Sequence, residues 1–110
     1  MTIYHDKLIR DNIVNIIEAK GEHCFYRQAL PEQLPEYIGK KITEELLELL
    51  DASDPNDILE EQADLWELLQ HIQNTYLKDV DVKLLKAKAE EKRKERGAFN
   101  LNTILLCTIT

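Results

Sequence analysis

The sequence predicts an all-α fold of four helices in a single domain, and three observations support this. Apolar residues recur at spacings of three and four in four separate segments. Glycine, proline and aspartate stand between those segments, where helices begin and end. At 110 residues, with 44% apolar and 32% charged side chains, the chain has the length and composition of one globular domain.

The first two helices are placed by glycine and proline. The first is predicted over residues 6–20, with Gly21 just after its end, because isoleucines and leucines recur there at helical spacing. The following stretch, GEHCFYRQALPEQLP, is predicted to be a connector. Pro35 suits the first turn of a second helix, which is expected to end near residue 52.

The next two helices are placed by capping signals. Asp57 and Glu60 have the spacing of a capping box, which predicts a third helix over residues 58–77. A fourth is predicted over Val82–Arg96 and closed by Gly97. The β-branched ending NLNTILLCTIT predicts a short strand or a docking tail. The short ASDPND turn predicts an antiparallel pair of the second and third helices, around which the others pack.

The charge balance and the chain ends exclude several classes of protein. A net charge of −7, with 21 acids and 14 bases, argues against a protein that binds nucleic acid polymers. The bases cluster in KAKAEEKRKERG and near the N-terminus, in HDKLIRD. No apolar run approaches the ~18 residues of a membrane span, and MTIYHDKLIR lacks the apolar segment of a signal peptide. Two cysteines make no disulfide framework, so we expect a cytoplasmic protein with reduced thiols.

Carboxylates accompany the apolar faces of the two central helices. Helical geometry places Glu45 beside the stripe of the second helix, with Glu48 one turn further on. On the third helix, Glu61 projects near the stripe and Asp64 lies on the same flank. Packing these helices together would therefore gather four acids. The predicted stripes are Ile38, Ile42, Leu46 and Leu49 on the second helix, and Ile58, Leu65, Leu69, Ile72 and Tyr76 on the third.

Such a cluster of acids predicts a bound cation. Two like charges ~4 Å apart repel by about 4 kcal/mol at an effective dielectric constant of ~20. Oxygen ligands without histidine or cysteine favour Mg²⁺, with Mn²⁺ as the alternative, over Zn²⁺. Because Mg²⁺ is commonly shared between carboxylates and phosphates, the acids predict a metal-dependent enzyme that acts on a phosphate ester or anhydride.

The motifs resemble those of a known superfamily. EELLE, followed after twelve residues by EQAD, is similar to the EExxE…ExxD pattern of the MazG-like all-α nucleotide pyrophosphohydrolases. YHDKLIRDNIVNIIEAKG resembles the KLVRDKIPEIIEAKG opening of their phosphoribosyl-ATP pyrophosphohydrolase-like branch. EEKRKERGAF resembles the EKRKERGGF ending of that branch. Together the matches span residues 4–99.

The resemblance implies a function and a set of site residues. It implies Mg²⁺-dependent, house-cleaning hydrolysis of a nucleoside triphosphate between its α and β phosphorus atoms, giving the monophosphate and pyrophosphate. It also implies a homodimer or homotetramer. The implied metal ligands and catalytic residues are Glu45, Glu48, Glu61 and Asp64, with Glu44 in a supporting position. The implied phosphate-binding residues are Lys7, Arg10, Lys92, Arg93 and Arg96.

Departures from the family pattern keep the substrate open. Asn12 and Val14 replace a lysine and a proline of the opening motif, and Ala98 replaces the second glycine of the ending. Phosphoribosyl-ATP therefore stays an alternative substrate, and a non-catalytic helical module that binds a nucleotide or a partner is the alternative function. His71 is interpreted as a polar neighbour rather than a ligand. Trp66 is interpreted as a core or subunit-interface residue in preference to a base-stacking one.

Overall fold

The all-α prediction is confirmed. The computed structural model describes residues 1–110 and contains four α-helices and no strand: α1 Ile13–Ala19, α2 Leu34–Asp51, α3 Pro55–Tyr76 and α4 Val82–Arg96. None of these helices combines the length and the apolar composition that crossing a membrane requires. The C-terminal residues after α4 form a turn and irregular backbone, so the short strand is wrong and the alternative, a docking tail, stays a prediction.

The chain divides into two compact units. The first, Met1–Gln73, contains α1, α2 and most of α3. The second, Asn74–Thr110, contains the last turn of α3, then α4 and the C-terminal residues. All the predicted acidic ligands lie in the first unit, and the predicted basic residues of α4 lie in the second. The expectation of a single domain stays a prediction.

Helices α2 and α3 form the predicted antiparallel pair. Residues 52–54 alone connect them, which is too short a connection for two parallel helices of this length. The side chains agree, because Glu45 interacts with Asp64 whereas Glu48, later on α2, interacts with Glu61, earlier on α3. This pairing places the middle of both helices side by side, where the acids stand.

Helix α1 is shorter than predicted. It begins at Ile13 rather than near residue 6, and it ends as expected before Gly21, which has a φ of +94°. Asp6 has a φ of +46°, which a helix does not allow, and its carboxylate accepts a 2.7 Å hydrogen bond from the Tyr37 hydroxyl of α2. Residues 1–10 therefore run as irregular backbone that is tied to α2 by side chains.

Helix α3 begins earlier than predicted, at Pro55. The carboxylate of Asp54 accepts hydrogen bonds from the backbone N–H of Asn56 at 2.8 Å and of Asp57 at 3.1 Å. Asp54 is therefore the N-cap, and Pro55 takes the first helical position, which tolerates its missing N–H. The predicted capping box of Asp57 and Glu60 is wrong, because Asp57 already lies in the first turn.

The bounds of the other two helices agree with the predictions. Pro35 lies in the first turn of α2, which ends at Asp51. Asp81 caps α4 by accepting a 2.9 Å hydrogen bond from the Lys83 N–H, and Gly97 follows the helix with a φ of +85°. Each of these positions uses the residue type that its backbone geometry favours.

The inward faces of α2 and α3 differ from the predicted stripes. On α2, Glu45 lies within the inward face, between Ile38 and Leu49, whereas Leu46 points outward. On α3, Leu68 faces inward and Leu69, which the stripe contained, is exposed. Both faces are thus rotated by about one residue from the prediction, and the rotation brings the acids inward.

Candidate metal and phosphate site

Three carboxylates converge between α2 and α3. Glu45 of α2 and Glu61 and Asp64 of α3 each offer one oxygen, and these oxygens all lie within 4.8 Å of one another. Glu61 and Asp64 share a face because they are three residues apart on one helix. The sequence analysis predicted all three as ligands, and the structure brings these three together.

Glu45 occupies an unusual position for a glutamate. It is 7% exposed, and it and Ile38 are the two buried residues of the chain. Its Oε2 atom is buried without a hydrogen-bond partner, and the Oε2 atom of Glu61 is in the same situation. A buried oxygen that lacks a partner destabilises the folded protein, and a cation between these carboxylates would supply the missing partner.

The pKa values of these acids reflect burial and mutual repulsion. Loss of hydration, followed by the hydrogen bond with Glu48 and the charges of Glu48, Asp64 and Glu45, raises the pKa of Glu61 to about 7. Loss of hydration also raises the pKa of Glu45, together with the charges of Glu48 and Asp64. Both shifts show that the site disfavours negative charge unless a positive charge accompanies it.

The two other predicted acids lie at the edge of this cluster. Glu48 is exposed and interacts with Glu45 and Glu61, but it does not belong to the set of three converging oxygens. Glu44 lies on the flank and forms ion pairs with Lys41 at 3.3 Å and with Lys7 at 3.6 Å. Partial burial opposes the effect of these lysines, yet they hold the pKa of Glu44 below its usual range.

Lys41 is a site residue that sequence analysis missed. Its side chain is 17% exposed, and its Nζ lies 3.5 Å from Glu45 Oε1 and 3.3 Å from Glu44 Oε2. It therefore supplies one positive charge from within α2, which partly offsets the buried carboxylate. A signal was present in the sequence, because Lys41 stands four residues before Glu45 and such pairs share a helix face.

The predicted phosphate-binding residues of the N-terminal segment reach the acids. Arg10 Nη2 donates a 2.7 Å hydrogen bond to Asp64 Oδ1 across 54 residues of sequence, and Lys7 contacts Glu44. Lys92, Arg93 and Arg96 lie on α4 in the second unit and are exposed. Their assignment to phosphate stays a prediction.

A cavity opens beside the acids within the first unit. Its volume is about 520 Å³, which falls in the range of small-molecule binding sites. Arg10, Lys41, Glu45 and Asp64 line it together, so the cavity adjoins the carboxylates and two cations. His71 contributes to its wall as a polar neighbour. The apolar part of the wall consists of Leu8, Ile9, Ile13, Ile16 and Leu68.

Comparisons of the chain with protein-family models, with curated proteins and with solved structures give no match.

Proposed function

We propose that this protein is a Mg²⁺-dependent nucleoside triphosphate pyrophosphohydrolase that cleaves between the α and β phosphates. The observation that carries the proposal is the convergence of Glu45, Glu61 and Asp64, with a buried, unpartnered oxygen on Glu45. Exposed acidic clusters are common and need no ligand. A carboxylate that is buried among other carboxylates needs a cation, and the resemblance of the motifs supplies the reaction.

The donor set fits a hard divalent cation. Glu45, Glu61 and Asp64 would hold it through oxygen, and Glu48 is close enough to support them. When bound, Mg²⁺ would neutralise phosphate charge and lower the pKa of a water molecule in the site. Mn²⁺ has similar ligand preferences and is the expected substitute.

The remaining parts of the site provide positive charge and space. Lys7 and Arg10 bring cationic side chains to the side of the acids, where a triphosphate would need them. The neighbouring cavity has room for the nucleoside, with apolar side chains for the base and sugar faces. The assignment of Lys92, Arg93 and Arg96 of α4 to phosphate binding rests on the resemblance alone. House-cleaning of nucleotides is the role that the resemblance implies.

The experiment is a pyrophosphate-release assay with a panel of canonical, deoxy and modified nucleoside triphosphates and phosphoribosyl-ATP. We expect turnover that requires Mg²⁺ and that Glu45→Gln lowers by at least about 100-fold, since a catalytic metal contributes several kcal/mol. The substitution keeps the size of the side chain and removes its charge.

Glu60→Gln is the matched control, because Glu60 is an exposed acid on α3 next to Glu61. It should leave the rate within about twofold of the wild type. If the folded protein hydrolyses no compound of the panel at saturating Mg²⁺, the enzyme proposal fails and the binding-module alternative replaces it. If phosphoribosyl-ATP is the preferred substrate, the alternative within the family replaces the proposed one.

The proposed enzyme acts as a homo-oligomer. Leu46, Leu47 and Leu50 of α2 are exposed, as are Leu59, Trp66 and Leu69 of α3. Exposed apolar side chains on two adjacent helices are what an association surface would contain, although other exposed apolar residues lie outside these helices. Trp66 is 62% exposed, so its interpretation as a core residue is wrong, and its interpretation as an interface residue is part of the proposal. A homodimer or homotetramer would cover these residues.

A further inference from the structure

A hydrogen bond joins Arg10 to Asp64, although Arg10 is expected to bind phosphate and Asp64 is expected to bind a metal ion. Asp64 is one of the three converging carboxylates, and Arg10 is an expected phosphate-binding residue. The 2.7 Å distance is that of a strong, charge-assisted hydrogen bond. Arg10 therefore neutralises the Asp64 carboxylate, which is also one of the proposed ligands of the divalent cation.

A divalent cation and the guanidinium compete for this carboxylate. Oxygens of Glu45, Glu61 and Asp64 lie within 4.8 Å of one another, so a cation held by all three would stand close to Arg10. Two positive charges at such a separation repel each other. Arg10 can move away, because it is 55% exposed and comes from irregular backbone before α1.

The other cations of the site are placed differently. Lys41 contacts Glu44 and Glu45 from the same helix, three and four residues away, and it is largely buried. It is therefore fixed beside its partners. Lys7 pairs with Glu44, which is not one of the three converging acids. Arg10 is thus the one of these three cations that pairs with a converging carboxylate and has an exposed side chain that can move away.

The cavity beside the acids is where the Arg10 guanidinium would lie after it leaves Asp64. Arg10 and Asp64 both line it, so a rotation of the Arg10 side chain away from the carboxylate keeps it at the cavity wall. A phosphate chain in that cavity offers oxygens that a guanidinium binds with two parallel hydrogen bonds. Arg10 can therefore exchange a carboxylate for a phosphate.

We propose that Arg10 exchanges one partner for another: it pairs with Asp64 until a divalent cation binds that carboxylate, and it then binds the phosphate chain of the substrate. The exchange rests on the proposed function, since it assumes a cation and a phosphate at this site. It orders the two binding events. The cation binds first and releases Arg10, and the phosphate chain binds second.

The first test is calorimetric titration with Mg²⁺ and Mn²⁺. Arg10→Ala should bind the cation about two- to fivefold more tightly than the wild type, because an exposed ion pair of ~0.4–1 kcal/mol, the upper part of the usual range, no longer has to be broken. Lys7→Ala is the matched control, since it removes the same charge from Glu44, and it should change the affinity by less than twofold. Equal or weaker cation binding by Arg10→Ala, or an equal effect of Lys7→Ala, would overturn the exchange.

The second test uses inorganic pyrophosphate as the phosphate probe. The wild type should bind it at saturating Mg²⁺ but not in EDTA, and Arg10→Ala should lose at least about tenfold in affinity at saturating Mg²⁺. NMR of the Arg10 guanidinium in the wild type should show slow rotation that Mg²⁺ abolishes and pyrophosphate restores. An Arg10 signal that Mg²⁺ leaves unchanged contradicts the exchange, although the proposed function stands if Mg²⁺ binds. If no cation binds at all, the proposed function fails first.

Discussion

For the single residue Glu61, burial and repulsion from neighbouring carboxylates together raise the pKa. Its Oε2 atom is buried without a partner, and three other carboxylates surround it. The resulting pKa of about 7 means that the group is half protonated near neutral pH when no cation is bound. The charge of Glu61 therefore depends both on pH and on whether a cation is bound nearby.

A pH-dependent stability follows for the protein in EDTA. Unfolded glutamate loses its proton near pH 4.5, whereas Glu61 in the folded protein loses it near pH 7. Between these values the folded state binds more protons than the unfolded state, so this group makes the protein less stable as the pH rises from about 4.5 to about 7. Glu61→Gln should remove this decline. Urea unfolding at a series of pH values measures the difference between the two proteins.

Glu60→Gln is the control for the pH series, because the exposed Glu60 should leave the decline in place. Above pH 7, Glu61→Gln should be more stable than the wild type, since it removes a charge that its neighbours repel. Parallel profiles for the wild type and Glu61→Gln would show that Glu61 has an ordinary pKa.

Site residues were predictable where spacing along one helix determines position. Glu61 and Asp64 lie three residues apart on α3, and Glu45 follows from the pairing of α2 with α3. The contact of Arg10 with Asp64 was not predictable, because it spans 54 residues and depends on the path of irregular backbone. The burial of Glu45 was also not predicted. The hydrophobic pattern placed this charged residue beside the apolar stripe, whereas in the structure it lies within the inward face.

At the scale of helices, the N-terminus of α3 offers a direct test of capping. Asp54 accepts two backbone hydrogen bonds, and Asp57 lies in the first turn. Asp54→Ala should lower the free energy of unfolding by about 1 kcal/mol, the usual effect of losing an N-cap. Asp57→Ala should lower it by only a few tenths, through the helix dipole. Urea unfolding monitored by circular dichroism measures both.

If Asp57→Ala lowers the free energy of unfolding more than Asp54→Ala does, Asp57 is the N-cap, as the capping-box pattern predicted. The pair is well matched, because both substitutions remove one exposed carboxylate within three residues. Both residues lie outside the set of converging acids, so cation binding should stay unchanged in either variant.

Helix bounds were predictable where glycine or proline determines them. Pro35 placed the start of α2, and Gly21 and Gly97 placed the ends of α1 and α4. Where two aspartates lie close together, as at residues 54 and 57, the capping-box spacing selected the wrong one. The start of α1 was predicted too early. Asp6 has a positive φ and accepts a hydrogen bond from the Tyr37 hydroxyl, a contact between distant residues that helical periodicity does not show.

At the scale of the whole molecule, the exposed leucines of α2 predict association. Leu47 is 62% exposed and Leu50 is 73% exposed. Leu50→Glu should weaken self-association at least about tenfold, because it would place an unpaired charge in the apolar interface. Sedimentation equilibrium over a range of protein concentrations measures the effect.

Lys40→Glu is the control, since it introduces the same side chain at an exposed position of α2 where Glu36 is a neighbour. Its association should stay close to that of the wild type. A wild-type protein that is monomeric and active at all concentrations would contradict the proposed oligomer. The sequence predicted this surface indirectly, because helices with wide apolar faces need covering.

The all-α class followed from apolar periodicity and from the residues that begin and end helices, whereas the proposed chemistry rests on the acidic motif and its flanks. The proposed reaction at this site is the Mg²⁺-dependent cleavage of a nucleoside triphosphate between its α and β phosphates. The most direct measurement is the separation of the products formed from one deoxynucleoside triphosphate at saturating Mg²⁺. We expect nucleoside monophosphate and pyrophosphate in equal amounts, and no products in EDTA. Nucleoside diphosphate with inorganic phosphate, or products formed without a divalent cation, would contradict the proposed reaction.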